Sequence, residues 1–443
     1  MKVIAFDIET NGLLLDAATV HCAITHDITS GERKEFTDAK DLYQYLLTAD
    51  RLVAHNGRMF DCPVLERLVG RPCGLPPLPP CLDTLLLSRL LWPDKGNTPA
   101  GGHSLEKWGE FLRIKKAHAD IEDWSTYDPR MLERCHTDVD IQCALYKYLL
   151  PLCKGWGESI QLEHTVATII TQQIQNGFPI DMKRVENLEY ELNMERLGLM
   201  EELDSIPPWV EHQELKTPEY WYLDGDGHRG YEKYRIKSEA PSSIRDSLVR
   251  GPNKTKRIET IFNPNSRDHV ARLFMEKYGW EPTKTTPTGK PQIDEKVLES
   301  LDYPEAQTIS RVMLIDKRLS QTAQWKKYER DGRVHGDVIT NGAISGRMAH
   351  SRPNMAQVPT SHSPYGEQCR ACFGDRTDWF LVGADASALE LCMLAHYLSK
   401  WDGGKYADIV VNGDVHTENQ KAAGLPTRDN AKTFDILGVY KHH

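Results

Sequence analysis

The sequence contains no hydrophobic run close to the roughly 20 residues that a membrane-spanning helix needs, so we expect no membrane partner. Its first ten residues carry Asp7 and Glu9 where a signal peptide has an apolar stretch, which predicts a cytoplasmic protein. Ten cysteines are scattered along the chain, and Cys369 and Cys372 form the sole Cys-x-x-Cys pair. Because a zinc knuckle needs further ligands at similar spacing, we expect ordinary reduced thiols.

An excess of positive charge is also lacking, since the net charge is −10. This disfavours a protein that binds nucleic acid through a uniformly basic surface, but it does not exclude a local basic patch. Residues 228–257 form such a patch, with nine Lys or Arg against three acids. Within it, Lys254, Lys256 and Arg257 are candidate contacts to DNA phosphates. A solvated loop has the same composition, so the patch alone does not identify a function.

The composition is that of a soluble globular protein, with 40% hydrophobic and 27% charged residues. A length of 443 residues predicts two to four domains. Residues 1–150 alternate short apolar strands with helical spacing, which predicts an α/β domain. Residues 151–330 are mostly helical in pattern, except for an insertion at about 205–260 that fits neither helix nor strand. Residues 331–443 mix strand-like pieces, such as Phe380–Val382, with amphipathic helices.

The most specific local feature is the pair Asp7 and Glu9 within the apolar strand Val3–Glu9. Residues two apart lie on the same face of a strand, so both carboxylates project to one side. Two like charges in an apolar setting repel each other and lose hydration, and a divalent cation between them relieves both costs. The alternative is an edge strand whose acids are solvated.

Two further acids occur in suitable contexts. Asp61 follows the turn His55-Asn-Gly-Arg-Met-Phe, and Asp138 lies in a helical segment. The order Asp-x-Glu, Asn-x-x-x-Phe-Asp and Cys-x-x-Asp-Val resembles the DEDD superfamily of 3′–5′ exonucleases. The resemblance implies a ribonuclease H-like mixed sheet with helices over residues 1–150. It also implies that Asp7, Glu9, Asp61 and Asp138 are catalytic and hold two Mg²⁺ or Mn²⁺ ions, with a single-stranded DNA 3′ end as substrate.

The chain departs from this superfamily at one position. Tyrosine-type members carry a tyrosine four residues before the last aspartate, where this chain has Arg134. Histidine-type members carry a histidine five residues before it, where this chain has Glu133. A guanidinium stays protonated and cannot act as a general base, so we expect a slower nuclease. In an alternative register His136 precedes Asp140 by four residues.

Motifs in the rest of the chain resemble family A DNA polymerases, and most closely the short replicative enzymes of podovirus-like bacteriophages. The resemblance implies an α+β, mostly helical partial polymerase domain, with a thumb at 151–330 and part of the palm and fingers at 331–443. It also implies binding of primer-template DNA and of deoxynucleoside triphosphates. The motifs are Asn176-Gly-Phe-Pro-Ile-Asp, Phe262-Asn-Pro-Asn-Ser-Arg-Asp-His, Ser345-Gly-Arg-Met-Ala-His, Pro353-Asn-Met-Ala-Gln-Val-Pro, Pro364-Tyr-Gly-Glu-Gln-Cys-Arg and Asp385-Ala-Ser-Ala-Leu-Glu.

The same resemblance implies the roles of individual polymerase residues. Asp385 corresponds to a palm aspartate that is catalytic and holds metal. Arg347 and Gln357 correspond to residues that contact DNA. The residues around the incoming nucleotide are Glu390, His416, Arg428 and Lys432. Arg428 and Lys432 are four residues apart, which places both cations on one face of a helix.

After Phe434 the family pattern stops, and the 443 residues do not contain the second palm aspartate. This predicts that polymerisation needs a second polypeptide or a missing C-terminal half. Two other readings are open: a non-catalytic DNA-binding remnant, and a stand-alone 3′–5′ exonuclease. A relative recruits host thioredoxin through an insertion at the position of residues 205–260, so thioredoxin is a further candidate partner. A phage-encoded protein of this kind is expected in the host cytoplasm.

Overall fold

A computed structural model of the chain describes residues 1–118, 120–223, 229–234, 240–374 and 382–431. Its residues form two compact units, 1–375 and 376–443. Helices and strands are mixed, which confirms the predicted combination of α and β structure. None of the described helices is both long and apolar enough to cross a membrane.

The N-terminal part of the first unit is built on a five-stranded mixed sheet in the order β3-β2-β1-β4-β5. Strand β1 pairs antiparallel with β2 and parallel with β4, so it lies at the centre of the sheet. The strands are β1 (Val3–Thr10), β2 (Val20–Asp27), β3 (Arg33–Phe36), β4 (Arg51–Ala54) and β5 (Cys81–Asp83).

Helices cover both faces of this sheet, which explains why β1 is apolar along most of its length. Ile4, Phe6 and Ile8 pack into the cluster on the side of α1 and α2. Val3 and Ala5 face α5 on the opposite side. The helices are α1 (Ala39–Leu46), α2 (Asp61–Leu65, continued by a π-helical turn at Glu66–Gly70), α3 (Thr84–Leu91), α4 (Leu105–Leu112) and α5 (Pro129–Leu152). The alternation of β1 therefore directs Asp7 and Glu9 toward α5.

The rest of the first unit is mainly helical, as the periodicity predicted. Helices α7 and α10 pack together, and buried side chains from both contribute to two apolar clusters. The helices are α6 (Gly157–Asn176), α7 (Met182–Leu203), α8 (Arg267–Tyr278), α9 (Glu295–Glu299), α10 (Pro304–Lys327) and α11 (Gly366–Ala371). Short strands complete this part: β6 (Phe178–Pro179), β10 (Glu329–Arg330), β11 (Arg333–Val334), β12 (Asp337–Ile339) and β13 (Ala349–Ser351).

The insertion at 205–260 contains a three-stranded antiparallel sheet that the sequence pattern did not predict. Its order is β8-β7-β9, with β7 at Trp209–Leu223, β8 at Arg229–Tyr234 and β9 at Leu248–Thr260. Charged residues, proline and aromatics are mixed along these segments without a period of two. The periodic signal of a half-buried strand is therefore missing, although backbone pairing still forms the ladder.

The second unit contains α12 (Leu389–Asp402), α13 (Lys405–Asn412) and α14 (Val415–Ala423). The predicted strand Phe380–Val382 falls largely on residues 375–381, which lie outside the described part. The helix predicted to carry Arg428 and Lys432 is described through Ala431, and residues 428–431 are helical.

Candidate active site

Three carboxylates from two elements converge beside the central strand. Asp7 and Glu9 come from β1, and Asp138 comes from α5. One carboxylate oxygen of each lies within 4.8 Å of the others. In the part of the chain that the structure describes, no other group of three metal-ligating side chains was found. We call these three residues the acidic cluster.

Side chains on one face of α5 hold Asp7 in place. Gln142 donates from Nε2 to Asp7 Oδ1 over 2.9 Å, and the Cys135 thiol donates to the Asp7 carbonyl oxygen over 3.2 Å. Cys135, Asp138 and Gln142 are three and four residues apart, so they share one helical face. One face of α5 therefore supplies both the carboxylate of Asp138 and the hydrogen bonds that hold Asp7.

Asp61 lies next to the cluster as the first residue of α2. The backbone N–H of Ile8 donates to its Oδ1 over 3.3 Å, which brings Asp61 beside Asp7. The loop before Asp61 passes close to β4, since a Cβ on Gly57 would lie 2.4 Å from the Cβ of Ala54. Glycine is therefore required there to bring Asp61 to the site.

Burial and mutual repulsion make these carboxylates weak acids. Burial, followed by the charge of Asp138, raises the pKa of Asp7 to about 7. Burial, followed by the charge of Asp7, raises the pKa of Glu9 to about 8. Burial also raises the pKa of Asp61 and of Asp138. Near neutral pH the ionised cluster therefore needs compensating positive charge.

Two basic side chains contact the cluster. Lys116 Nζ lies 2.5 Å from Asp138 Oδ2. Arg134 Nε lies 3.3 Å from Glu9 Oε1 and 3.9 Å from Asp138 Oδ2. Sequence reasoning missed Lys116, because nothing in its local pattern marks residues 113–118 as part of the site.

The alternative register with Asp140 does not lead to the cluster. Asp140 forms an ion pair with Arg33 and its side chain is 45% exposed. His136 Nε2 lies 2.9 Å from Glu35 Oε1 on β3, the edge strand of the sheet. The geometry thus associates Asp138, not Asp140, with Asp7 and Glu9.

Comparison with known proteins assigns the family. Residues 242–431 match the family model for DNA polymerase family A. The chain is 33% identical to the DNA-directed DNA polymerase of Escherichia phage T7, over 98% of this chain and 74% of that one. It is also 33% identical to the DNA-directed DNA polymerase of Enterobacteria phage T3, over 97% of this chain and 74% of that one. The chain belongs to DNA polymerase family A.

A solved structure has the same fold as this family A chain. It is titled as the POL domain of Pol1 from M. smegmatis in complex with DNA primer-template and dNTP. The TM-score is 0.65 at 16% sequence identity, and the match covers 98% of this chain and 67% of that one. At this identity the comparison establishes the fold alone.

The predicted polymerase residues of the family A chain lie on exposed or half-buried positions. Asp385 is exposed in a segment without regular secondary structure, and Glu390 is exposed in the first turn of α12. His416 is half-buried in α14. Arg428 donates hydrogen bonds to Asp414, from Nε to Oδ2 over 2.9 Å and from Nη2 to Oδ1 over 3.1 Å. Lys432 lies outside the described residues.

The predicted DNA contacts lie in the first unit. Arg347 and Gln357 are exposed, and the Gln357 carbonyl oxygen accepts from Gln321 Nε2 over 3.0 Å. Lys256 and Arg257 are exposed on β9. The side chain of Lys254, on the same strand, lies outside the described part.

A second residue that sequence reasoning missed is Asp83, a fully buried carboxylate at the end of β5. Its oxygens accept from the backbone N–H groups of Asn56 and Arg58 over 2.9 and 3.0 Å, and also cap the N-terminus of α3. Its own N–H donates to His164 Nε2 of α6 over 2.8 Å. Asp83 thereby fixes the loop that leads to Asp61. An aspartate followed by Thr84 and a leucine run is a helix-start signal that could have found it.

We expect Asp83→Ala to destabilise the protein by about 2–4 kcal/mol, because several buried N–H donors lose a charged acceptor. Urea unfolding followed by circular dichroism measures the change. Asp94→Ala is the matched control, since Asp94 caps an exposed turn and its loss should cost about 1 kcal/mol or less. Equal effects of the two changes would contradict the assigned role of Asp83.

Proposed function

We propose that this family A chain removes nucleotides from DNA 3′ ends by metal-dependent hydrolysis at Asp7, Glu9, Asp61 and Asp138. The observation that carries the proposal is the convergence of the cluster carboxylates beneath a single helix face. Burying these carboxylates costs free energy of folding, and a protein that only binds DNA would gain nothing from that cost. Family membership likewise argues against a stand-alone nuclease unrelated to replication.

The donor atoms fit a hard divalent cation. All of them are carboxylate oxygens, which suit Mg²⁺ or Mn²⁺ better than zinc. Glu9 Oε1 and Asp138 Oδ1 are buried and accept no hydrogen bond. Asp7, Glu9 and Asp138 would hold the metal, with Asp61 beside them. Bound there, a cation supplies a lowered pKa for the attacking water and positive charge for the reacting phosphate.

The chain's own residues orient the reaction. In the overall step, water adds to the phosphorus of the last nucleotide and the bond from that phosphorus to the preceding 3′ oxygen breaks. The 3′ oxygen takes up a proton, and a nucleoside 5′-monophosphate leaves. Gln142 and Cys135 keep Asp7 in position throughout. Arg134 remains protonated, so its task is to bind phosphate oxygens and not to accept a proton.

The relatives' names support a second activity, DNA-directed DNA synthesis with primer-template DNA and deoxynucleoside triphosphates as ligands. We assign the metal-binding role in synthesis to Asp385, and nucleotide binding to Glu390, His416, Arg428 and Lys432. Arg347, Gln357 and the basic residues of β9 would contact the duplex. Three further expectations remain predictions. They are that host thioredoxin is a partner, that a second polypeptide completes the palm, and that the protein is located in the host cytoplasm.

The nuclease proposal is tested with the full chain and a single-stranded oligonucleotide labelled at its 5′ end. In Mg²⁺ we expect a ladder of products shortened one nucleotide at a time from the 3′ end. Chelation with EDTA should stop the reaction, and Mn²⁺ should restore it. A 3′-labelled substrate should release labelled mononucleotide at once. Metal-independent cleavage, or degradation from the 5′ end, would contradict the proposal.

A further inference from the structure

Arg318, in α10, is a buried arginine that lacks a carboxylate partner. It is 6% exposed, and no Asp or Glu in the described part of the chain forms an ion pair with it. Its Nη1 donates to Gln321 Oε1 over 3.1 Å, whereas its Nε is buried and donates to none of the described residues. Arginine is rarely buried without a partner of opposite charge, because the guanidinium loses its hydration there. Burial of Arg318 therefore destabilises the free protein unless a ligand supplies the missing charge.

Other charged side chains of α10 have partners of opposite charge on α7. The pairs are Arg311–Glu195 at 2.7 Å, Asp316–Arg196 at 2.5 Å and Lys326–Glu189 at 2.8 Å. The charge of Arg318 acts instead on the thiol of Cys369 in α11. Burial raises the pKa of that thiol, so it stays neutral near pH 7 and gives Arg318 no counter-charge. The missing partner thus distinguishes Arg318 from its neighbours on the same helix.

Arg318 lies next to the segment Pro353–Pro359, which carries a predicted DNA contact. Gln321, which accepts from Arg318, donates from Nε2 to the carbonyl oxygen of Gln357 over 3.0 Å. The segment also packs on the apolar cluster that includes Ile315, three residues before Arg318. Gln357 itself is exposed. Nη2 of Arg318 is neither hydrogen-bonded to a described residue nor sealed from solvent, so it is the nitrogen open to a ligand.

We propose that Arg318 binds a phosphate of the primer-template duplex through Nη2. The inference rests on the proposed binding of DNA beside Arg347 and Gln357. A phosphate supplies the negative charge that the surrounding protein does not, and a charge-assisted hydrogen bond to it is strong in a poorly hydrated setting. Because Gln321 already holds Nη1, little side-chain freedom is lost when DNA binds. An arginine with a structural role alone would instead stabilise the free protein.

The first test compares Arg318→Met with the wild type in the full chain, since methionine keeps an apolar stem and removes the charge. Its affinity for a primer-template duplex, measured by fluorescence anisotropy, should fall about tenfold or more. The log–log slope of affinity against salt should decrease by about 1, because one phosphate contact is lost. The urea midpoint of the free protein should stay at or above that of the wild type, because an unpaired buried charge has been removed.

Lys327→Met is the matched control, because it removes the same charge from the same helix. Lys327 is exposed and lies nine residues after Arg318, about two and a half turns away, so it is on the opposite side of α10. Its affinity and salt slope should equal those of the wild type. Arg318→Lys keeps the positive charge and should keep the wild-type slope. Arg318→Gln is a second neutral variant and should lose the same part of the slope as Arg318→Met.

The second test changes the DNA, with duplexes that each carry one uncharged methylphosphonate linkage at successive positions. At one position or two adjacent ones, the neutral linkage should weaken binding by the wild type but not by Arg318→Met, which has already lost the contact. An identical profile for both proteins, or an unchanged slope with a lowered urea midpoint, would overturn the inference and leave the proposed DNA binding standing. Failure of the wild type to bind primer-template DNA would overturn that proposed function and the inference with it.

Discussion

The double variant Asp7→Asn, Glu9→Gln should lose at least about a thousandfold in exonuclease rate. Both residues belong to the acidic cluster, and the amides keep the size of the side chains while removing the negative charge. Metal ions stabilise the transition state of phosphate hydrolysis by several kcal/mol, and about 4 kcal/mol corresponds to a factor of a thousand. Single-turnover digestion of 5′-labelled DNA in Mg²⁺ measures the rate.

The control for this change is Asp140→Asn on α5. Asp140 is two residues from Asp138 but faces Arg33, so its exonuclease rate should stay within a fewfold of wild type. Circular dichroism should show that both proteins are folded. If the double variant digests DNA at the wild-type rate, the carboxylates of β1 are not the nuclease site.

Primer-template binding should weaken about a hundredfold between 50 and 200 mM salt, because each phosphate contact by a basic side chain releases counterions. Replacing Lys254, Lys256 and Arg257 with alanine should lower the steepness of the salt dependence by about 2 to 3 in log–log slope. Lys256 and Arg257 are exposed on β9, where duplex DNA can reach them. Fluorescence anisotropy at several salt concentrations gives the slope.

A matched variant with Lys34, Lys40 and Lys107 changed to alanine removes the same charge from the N-terminal part of the chain. It should leave the slope within experimental error of wild type. An unchanged slope in the β9 variant, or an equal loss in both variants, would show that β9 does not contact the phosphates.

The sequence predicted the central strand of the site because its signal is local. Asp7 and Glu9 stand two apart in an apolar run, and alternation alone places them together. Helical spacing was also predicted within residues 1–150, and α3 and α4 form there, since their apolar spacing is regular. Such features depend on neighbours in the chain.

Lys116 and Asp83 could not be assigned in this way, because their partners are distant in sequence. Lys116 reaches Asp138 after the chain turns at Arg113, the residue that follows α4 in the left-handed conformation. Asp83 binds N–H groups of a loop more than 20 residues earlier. Contacts of this kind are set by the packing of the sheet and its helices, which a single sequence does not reveal.

The hydrogen bond from Asp83 to His164 has a consequence for any attempt to isolate the N-terminal domain. The sequence pattern suggests a cut at residue 150, but His164 lies beyond it on α6 and accepts a buried N–H from the end of β5. Its other ring nitrogen donates to the Ile160 carbonyl oxygen over 2.7 Å, which fixes the tautomer that this contact requires. A fragment ending at 150 would leave a main-chain donor unsatisfied next to the loop of Asp61. A stable N-terminal fragment should therefore retain α6 through Asn176.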